Sequence, residues 1–310
     1  MGFLDSLTDR ELKALKKAQK TIEGPEFSIT KDSLMRARDE LQEGAPDPNA
    51  VAHRQEFSDV NARLSELWLR VGDHKEAAAA ADRALMYMPN NTVAVIARAR
   101  ATASTGAVED AICVIDWSLA RTPSDKTLWM EKGWILDRAG RSMPAVECFK
   151  RVMEIDPNDP AVYDILAEKS NDKGTWMRRK GEALMAKERY EDAVKAFDQA
   201  AAVDPNDVQA LIEKGKALML LNKYDEAGLV YQKVLEIDPR NFIAHLNRAR
   251  SLRESKDYQG SIQHYKEALR SNPADKHSWI EVASLLEMLE RFDEALKAYD
   301  RSLEIDPDFI

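Results

Sequence analysis

Apolar residues recur three or four positions apart along most of this chain, which is the spacing of amphipathic α-helices. Many of the helical segments end in tails such as "MEIDPN" and "LEIDPR", whose proline cannot continue a helix. The repeated prolines are Pro89, Pro123, Pro157, Pro205, Pro239, Pro273 and Pro307. Successive members are 34 residues apart, except for one interval of 48 between Pro157 and Pro205. The pattern predicts seven repeated units of two helices each, with one interruption.

Small residues recur at two places in each unit. With the proline counted as position 32, position 8 holds Ser65, Ala99, Gly133, Gly181, Gly215, Ala249 and Ala283. Position 20 holds Ala77, Ala111, Ala145, Ala193, Ala227, Ser261 and Ala295. Position 24 holds a bulky side chain in six repeats, namely Ile115, Phe149, Phe197, Tyr231, Tyr265 and Tyr299. Because helices approach closely where neither carries a bulky side chain, positions 8 and 20 are predicted to form the contact within each pair.

Two further positions complete the signature. Tryptophan occupies position 4 at Trp129 and Trp279, and leucine occupies position 11 at Leu136, Leu184, Leu218, Leu252 and Leu286. With these residues the chain resembles the tetratricopeptide repeat family, whose units are helix-turn-helix pairs of the same length. The resemblance covers residues 58–309 apart from the interruption. It implies an all-α fold, a right-handed α-solenoid of stacked antiparallel helix pairs that share a core.

The start of the chain fits this pattern least. Residues 1–57 contain two helical patterns, near residues 8–22 and 31–43, and we interpret them as a helical cap or a degenerate repeat. The apolar stripe of the first pattern consists of Phe3, Leu4, Leu7, Leu12, Leu15 and Ile22. In the first full repeat Ala81 replaces the bulky residue and Asn61 occupies position 4, so this repeat matches the signature least.

The long interval contains 14 extra residues, 160–173, with the sequence "PAVYDILAEKSNDK". In repeat register Tyr163, Leu166 and Ala167 fall on positions 4, 7 and 8, which predicts a first helix without its second. The sequence "SNDKG" that follows has turn chemistry. We therefore predict repeats 1–3 over residues 58–159, an inserted helix and joint over 160–173, and repeats 4–7 over 174–310. The alternative is one irregular helix within a continuous solenoid.

The resemblance also implies that first helices line a concave groove with positions 2, 5, 9, 12 and 13. The peptide-binding residues that it implies are Ile96, Arg100, Met130, Trp134, Arg138, Arg178, Ile212, Lys216, Met219, Asn247, Arg250 and Arg253. Across the seven repeats the groove positions hold seven cations and six anions, whereas the whole chain has a net charge of −9. Such a groove favours a protein or peptide partner with apolar anchors and some negative charge. A solvated face without a ligand would show similar counts.

Two candidate specificities follow from single residues. Trp134, between Met130 and Arg138, resembles a binding anchor, although a tryptophan at helical spacing is more often part of the core.

Chaperone-binding relatives carry a clamp of lysine, asparagine and arginine residues. At the clamp positions of repeats 5–7 this chain has Ile212, Lys216, Asn247, His277 and Glu281. Only Asn247 matches the clamp, so the sequence does not predict that specificity.

Composition narrows the class of protein. A net charge of −9 and a pI near 5.3 disfavour nucleic acid as a partner. No apolar stretch has the length of a signal-peptide core or of the roughly 20 residues of a membrane span, which favours a cytoplasmic protein. Cys113 and Cys148 lack disulfide or zinc spacing and are expected to fill the core, and the five histidines form no metal motif.

Neither a phosphate-binding glycine loop nor a nucleophile elbow occurs, so we expect no catalytic activity and no cofactor. The favoured hypothesis is a non-catalytic adaptor that binds partner segments in the groove. The alternative is a self-assembling protein, since Phe292, Leu296 and Leu303 of the last helix pair are expected to be partly uncovered. Such a surface favours a homodimer or a head-to-tail stack, and an array that continues beyond Ile310 would explain it equally well.

Overall fold

The computed structural model describes residues 13–14, 16–22, 30–43 and 54–307. All regular secondary structure in these ranges is helical, which agrees with the predicted all-α fold. The chain divides into two compact units, unit 1 (Met1–Asp156) and unit 2 (Pro157–Ile310). The predicted apolar stripe at Phe3, Leu4, Leu7, Leu12 and Leu15 lies outside the described residues, whereas Ile22 of the same stripe is buried.

Unit 1 contains helical residues 16–22 and seven helices with described ends. These are α1 (Lys31–Glu43), α2 (Arg54–Val71), α3 (His74–Tyr87), α4 (Thr92–Ser104), α5 (Val108–Leu119), α6 (Lys126–Arg138) and α7 (Ser142–Ile155). Helices α2, α4 and α6 are the first helices of repeats 1–3, and α3, α5 and α7 are the second helices. Ile22, Leu34 and Leu41 share an apolar core with Phe57 and Trp68 of α2, so the residues before repeat 1 cover its open side.

Unit 2 contains nine helices among its described residues. These are α8 (Pro160–Lys169), α9 (Lys173–Ala186), α10 (Tyr190–Val203), α11 (Val208–Leu220), α12 (Tyr224–Ile237), α13 (Phe242–Glu254), α14 (Tyr258–Ser271), α15 (Lys276–Met288) and α16 (Phe292–Ile305). The first helices of repeats 4–7 are α9, α11, α13 and α15. Within the unit each first helix packs on its own second helix. Helices α11, α13 and α15 also pack on the second helix of the preceding repeat, and α9 packs on α8 instead.

Local sequence determines where these helices begin and end. Several first helices begin after an asparagine or aspartate whose side chain accepts a hydrogen bond from the first turn, as Asn91 does from the N–H of Ala94 at 3.2 Å. Most second helices end two residues before the repeated proline, for example at Ile155 and Ile237. The sequence signals at both ends therefore delimit each helix pair correctly.

The turn inside each pair requires a residue with a left-handed backbone at position 15. Gly72, Gly106 and Gly140 fill this position in unit 1 with φ between 74° and 89°. Unit 2 places non-glycine residues there with φ between 58° and 65°, namely Glu188, Asn222, Lys256 and Glu290. Since side chains disfavour this conformation by roughly 1–2 kcal/mol, a backbone hydrogen bond to the carbonyl of position 11 helps to hold the turn in unit 2. The N–H of Arg189, for instance, donates to the carbonyl of Leu184 at 2.9 Å.

The predicted small-residue contact forms within the helix pairs. In repeat 1 the Ser65 hydroxyl at position 8 donates to the carbonyl of Ala77 at position 20, at 2.6 Å. At Gly215 the aromatic ring of position 24 occupies the space of the missing side chain, because an added Cβ would lie 2.5 Å from Tyr231 Cζ. An added Cβ at Gly133 would similarly lie 2.6 Å from Phe149 Cε1. In repeats 3–5 position 8 is therefore glycine because the ring of position 24 packs directly on it.

Repeat 1 packs with different residues, as its sequence predicts. Ala81 carries no ring, and the buried Trp68 at position 11 contributes bulk to the core instead. Asn61 is also buried, donates to the carbonyl of Phe57 at 2.8 Å and accepts from Arg83 Nε at 3.2 Å. A polar side chain is thus accommodated at position 4 because both of its ends are hydrogen-bonded.

Helix α8 shares features with both helix types. Its Tyr163 hydroxyl donates to the Pro157 carbonyl at 2.6 Å, as Trp129 Nε1 of a first helix donates to the Pro123 carbonyl at 2.8 Å. Toward α9, however, it behaves as a second helix. Asp164 pairs with Lys180 sixteen residues later at 2.7 Å, as Asp198 of second helix α10 pairs with Lys214 of α11 at 2.6 Å.

Replacing Gly215 with leucine should destabilise unit 2 by about 3 kcal/mol, since the new side chain overlaps the Tyr231 ring. Thermal melting followed by circular dichroism measures the loss. Gly174→Ala is the matched control, because its Cβ would lie at ordinary contact distance, 3.4 Å, from Val203 Cγ1. Equal melting temperatures for Gly215→Leu and the unmodified chain would contradict the packing described here.

Candidate functional site

The candidate site is the surface formed by positions 2, 5, 9, 12 and 13 of the first helices, which we call the first-helix face of each unit. In unit 1, Arg100 and Arg138 of this face are exposed, whereas Ile96 and Met130 are half-buried. Trp134 is half-buried as well, with its ring 5.2 Å from the Phe149 ring of the same repeat and tilted by 65°. Much of the Trp134 ring therefore packs against the core, and the remainder contributes to the face.

Arg100 forms the strongest polar contact of the unit 1 face. Its Nε and Nη2 donate to both carboxylate oxygens of Glu131 on the next first helix, at 2.8 and 2.5 Å. The Glu131 side chain is only 5% exposed. This bidentate hydrogen bond raises the pKa of the Arg100 guanidinium and neutralises its charge locally.

Most predicted cations of the unit 2 face are also paired. Arg178 contacts Glu182 at 3.1 Å and Asp207 at 3.3 Å, and Lys216 contacts Glu213 at 2.7 Å. Arg253 contacts Glu281 of the next first helix at 2.5 Å and Glu254 at 2.8 Å. Burial opposes the charge of Arg253, but its hydrogen bonds to Glu254 and Glu281 outweigh that effect and raise its pKa. Arg250 is exposed and differs from these cations in having no ion pair among the described residues.

Two predicted groove residues are not open to a partner in this structure. Ile212 is only 3% exposed, because it packs against Val234 of the second helix and Ala244 of the next first helix. Asn247 is 9% exposed. Met219 is half-buried, as Met130 is in unit 1. Cys113 was expected in the core but is exposed, whereas Cys148 is buried and burial raises its thiol pKa.

Three exposed apolar side chains of the unit 2 face were not singled out from the sequence. Leu220, Ile243 and Met288 are 53%, 45% and 56% exposed. They occupy positions 13, 2 and 13, which belong to the positions already expected to face a partner. Comparing these two positions across all repeats would have identified them. In unit 1, Val93 was placed on the groove by the same register, and it is 44% exposed.

Two buried tyrosines reach this face from behind. Burial raises the pKa of Tyr231 and raises that of Tyr265 to about 12, so both hydroxyls stay protonated at neutral pH. No described residue accepts a hydrogen bond from either hydroxyl. In the next repeat, by contrast, the Tyr299 hydroxyl donates to Glu287 at position 12, at 3.2 Å. Met219 and Arg253 occupy that position in the repeats of Tyr231 and Tyr265, and neither side chain accepts hydrogen bonds well.

Grooves on the opposite side, between consecutive second helices, form cavities as well. In unit 1 a cavity of about 400 Å³ is lined by Leu85, Val95, Cys113, Val114 and Trp117, with the Asp82–Arg98 pair beside them. Unit 2 has one of about 340 Å³ between α8 and α10, and one of about 470 Å³ between α14 and α16. The equivalent lining by α8 agrees with its role as a second helix toward α9.

In repeat 6 a series of hydrogen bonds connects side chains of α13 and α14. Arg248 Nε donates to His264 Nε2 at 3.0 Å, which leaves the proton of neutral His264 on Nδ1. His264 Nδ1 then donates to His245 Nδ1 at 3.0 Å, and His245 Nε2 donates to the Pro239 carbonyl at 3.1 Å. Burial, with the charges of Arg248 and His245, lowers the pKa of His264 to about 4, against the opposing effect of Glu267 and Asp257. This series of hydrogen bonds links α13 to α14, and it requires both histidines to be neutral.

The described residues contain no group of three or more histidine, cysteine or acidic side chains arranged to hold a metal ion. No helix in the described ranges is long and apolar enough to cross a membrane.

Comparison with known proteins identifies the fold family. Two family profiles, both described as "Tetratricopeptide repeat", match this chain, one at residues 178–242 and 246–308 and the other at residues 127–159. Together they cover more than half of the chain. The chain belongs to the tetratricopeptide repeat family. Proteins of this family bind other proteins, so the repeats make the chain a protein-interaction scaffold in this general sense.

Two solved structures illustrate what the chain is similar to. MamA 41-end from Desulfovibrio magneticus RS-1 is 19% identical, covers 59% of this chain and 96% of its own, and gives a TM-score of 0.41. YrrB, described as "a TPR protein with an unusual peptide-binding site", is 15% identical, covers 63% of this chain and 93% of its own, and gives a TM-score of 0.40. No curated protein matches the chain.

Acidification should destabilise unit 2 through His264. Its pKa lies below the ordinary value of 6.5, so the unfolded chain binds a proton first and stability falls between about pH 6.5 and about pH 4. With allowance for solvent screening the loss is roughly 1–2 kcal/mol. His264→Gln, which does not titrate, should show a smaller fall in melting temperature over that interval. An equal fall in both proteins would contradict the assigned protonation state.

Proposed function

We propose that this protein is a non-catalytic scaffold whose first-helix faces form grooves that bind apolar, partly acidic segments of partner proteins. The observation that carries the proposal is the set of exposed apolar residues on the unit 2 face, Leu220, Ile243 and Met288. Large exposed apolar side chains on a structured face are typical of binding surfaces. Their location on first helices matches the side on which the family resemblance implies a groove.

Arg250 lies between these apolar positions along the helix direction. Position 2 begins a first helix, position 13 ends it, and position 9 lies between them, so the face offers apolar contact at both ends and a cation in the middle. A partner segment with apolar side chains flanking a carboxylate would complement this order. Lys216 and Arg253 add cations to the same face, although acidic neighbours already pair with them.

The unit 1 face supports a second binding region of different character. Val93 is 44% exposed, Met130 and Trp134 are half-buried, and Arg138 is exposed. Its main cation, Arg100, is neutralised by Glu131. We propose that unit 1 contributes mainly apolar contacts. Two binding faces in one chain would permit bivalent capture, in which the first contact raises the effective concentration for the second.

A second candidate function is self-association through α16. Phe292, Leu296 and Leu303 are 62%, 63% and 46% exposed. The residues equivalent to Leu296 and Leu303 in α14 are Ile262 and Leu269, which are 1% and 4% exposed. Helix α16 therefore presents an apolar surface that its counterpart in the preceding repeat buries. We propose a second copy of this chain as its partner, because a two-fold contact would cover the same surface in both copies.

Peptides selected from a random display library against the full chain should bind the first-helix face. The double variant Leu220→Ser/Ile243→Ser should weaken the selected peptides at least about tenfold, since it removes two apolar contacts of about 1 kcal/mol or more each. Fluorescence anisotropy with labelled peptides measures the affinities.

The matched control is Leu229→Ser, which removes a leucine that is 71% exposed on second helix α12. This variant should bind the selected peptides as the unmodified chain does. Selection of no peptide, or equal weakening by the control and the double variant, would overturn the proposed face.

Self-association makes a separate prediction. The full chain should sediment as a dimer at high concentration, and Leu296→Glu should make it monomeric, because a charge in the apolar contact cannot be desolvated cheaply. Leu229→Glu, at a comparably exposed leucine on α12, should leave the dimer intact. A monomer at every concentration would contradict this second function without affecting the first.

A further inference from the structure

The two units differ in the ion pairing of the arginine at position 9. In unit 1, Arg100 is bound by Glu131, which lies 31 residues later on the next first helix. The residue 31 positions after Arg250 is Glu281, which is also acidic. Glu281 is already engaged, because Arg253 Nη1 donates to it at 2.5 Å. Glu281 is the equivalent of Glu131 in unit 2. It pairs with a second arginine, Arg253, and not with Arg250.

The other carboxylates nearby are occupied as well. Glu213 pairs with Lys216 at 2.7 Å, and Glu254 pairs with Arg253 at 2.8 Å. Arg250 consequently presents an exposed guanidinium without an ion pair among the described residues of the face. A planar guanidinium binds carboxylates through two parallel hydrogen bonds, which makes it a directional anchor rather than a diffuse positive charge.

The nearby tyrosines do not contribute hydrogen-bond donors to a ligand. Burial raises the pKa of both Tyr231 and Tyr265, and the positive charge of Arg250 opposes that effect in each. Both tyrosine side chains are fully buried, whereas the Arg250 guanidinium is exposed. The group that a ligand can reach is therefore the guanidinium.

We propose that Arg250 anchors a carboxylate side chain of the partner segment, and that Arg100 of unit 1 does not. The inference rests on the proposed function and assigns the acidic specificity to one unit and one residue. The anchor is distinct from the chaperone clamp, since position 9 of that clamp is an asparagine. Unit 2 thereby selects segments that carry an acidic residue between apolar ones.

The test uses the full chain and two labelled octapeptides with blocked ends. One alternates leucine and glutamate, and the other has glutamine in place of glutamate. The unmodified chain should bind the acidic peptide about tenfold more tightly, which corresponds to one hydrogen-bonded charge pair. Arg250→Gln should abolish this preference, and Glu281→Gln should increase it severalfold, because it releases Arg253 from its main partner.

The matched control is the double variant Arg100→Gln/Glu131→Gln, which removes the equivalent pair without leaving a buried carboxylate unpaired. It should keep the full preference for the acidic peptide. Circular dichroism confirms that each variant is folded. Equal affinity for the two peptides, no binding of either peptide, or a preference lost in the control and kept in Arg250→Gln would each overturn the anchor.

These outcomes separate the anchor from the scaffold function on which it rests. If both octapeptides bind equally and Leu220→Ser/Ile243→Ser weakens both, the face binds segments but Arg250 does not select acidic ones. If display selection yields no peptide that depends on Leu220 and Ile243, the scaffold function itself fails.

Discussion

In repeats 3–5 the contact between the glycine at position 8 and the aromatic ring at position 24 is the constraint on which the packing of the helix pair depends. It sets how closely the two helices of these repeats approach. It also determines how far the ring extends. At Gly215 the Tyr231 ring fills the space of the absent side chain, so its hydroxyl lies beside the first helix rather than within the second. Because the Tyr231 side chain is fully buried, it supports the first helix from the core and leaves the contact with a partner to the exposed residues.

Ion pairs between successive first helices give the face its electrostatic character. Arg100 and Glu131 satisfy each other, and the carboxylate is buried, so that pair contributes little net charge to a ligand. In unit 2 two arginines compete for the equivalent acid, Glu281, and Arg253 holds it. The chemical difference between the two faces therefore arises from one additional arginine at position 12. Identical residues at equivalent positions of a repeat array need not offer the same chemistry to a partner.

Helix α8 illustrates how a repeat protein absorbs residues that do not fit its period. Tyr163 bonds to the Pro157 carbonyl in the manner of a first helix, while Asp164 bonds to Lys180 in the manner of a second helix. Both relations are local along the chain, six and sixteen residues respectively. One short helix makes both contacts. Helix α9 therefore begins repeat 4 packed against α8, which takes the place that a preceding second helix has for the other first helices of unit 2.

Sequence alone determined the helices, their ends, the repeat length and the family, because each depends on signals only a few residues apart. Proline tails and the small residues at positions 8 and 20 recur in every repeat. The residues of the face were implied by the family resemblance in the same register, and ten of the twelve are exposed or half-buried in the structure. That Arg100 is paired while Arg250 is not could not be predicted, since both occupy position 9. Only tertiary structure decides that Ile212 and Asn247 are buried, that Cys113 is exposed and that Glu188 adopts a left-handed turn. Burial and ion pairing depend on side chains of neighbouring helices that are distant along the chain, so they leave no periodic trace in the sequence.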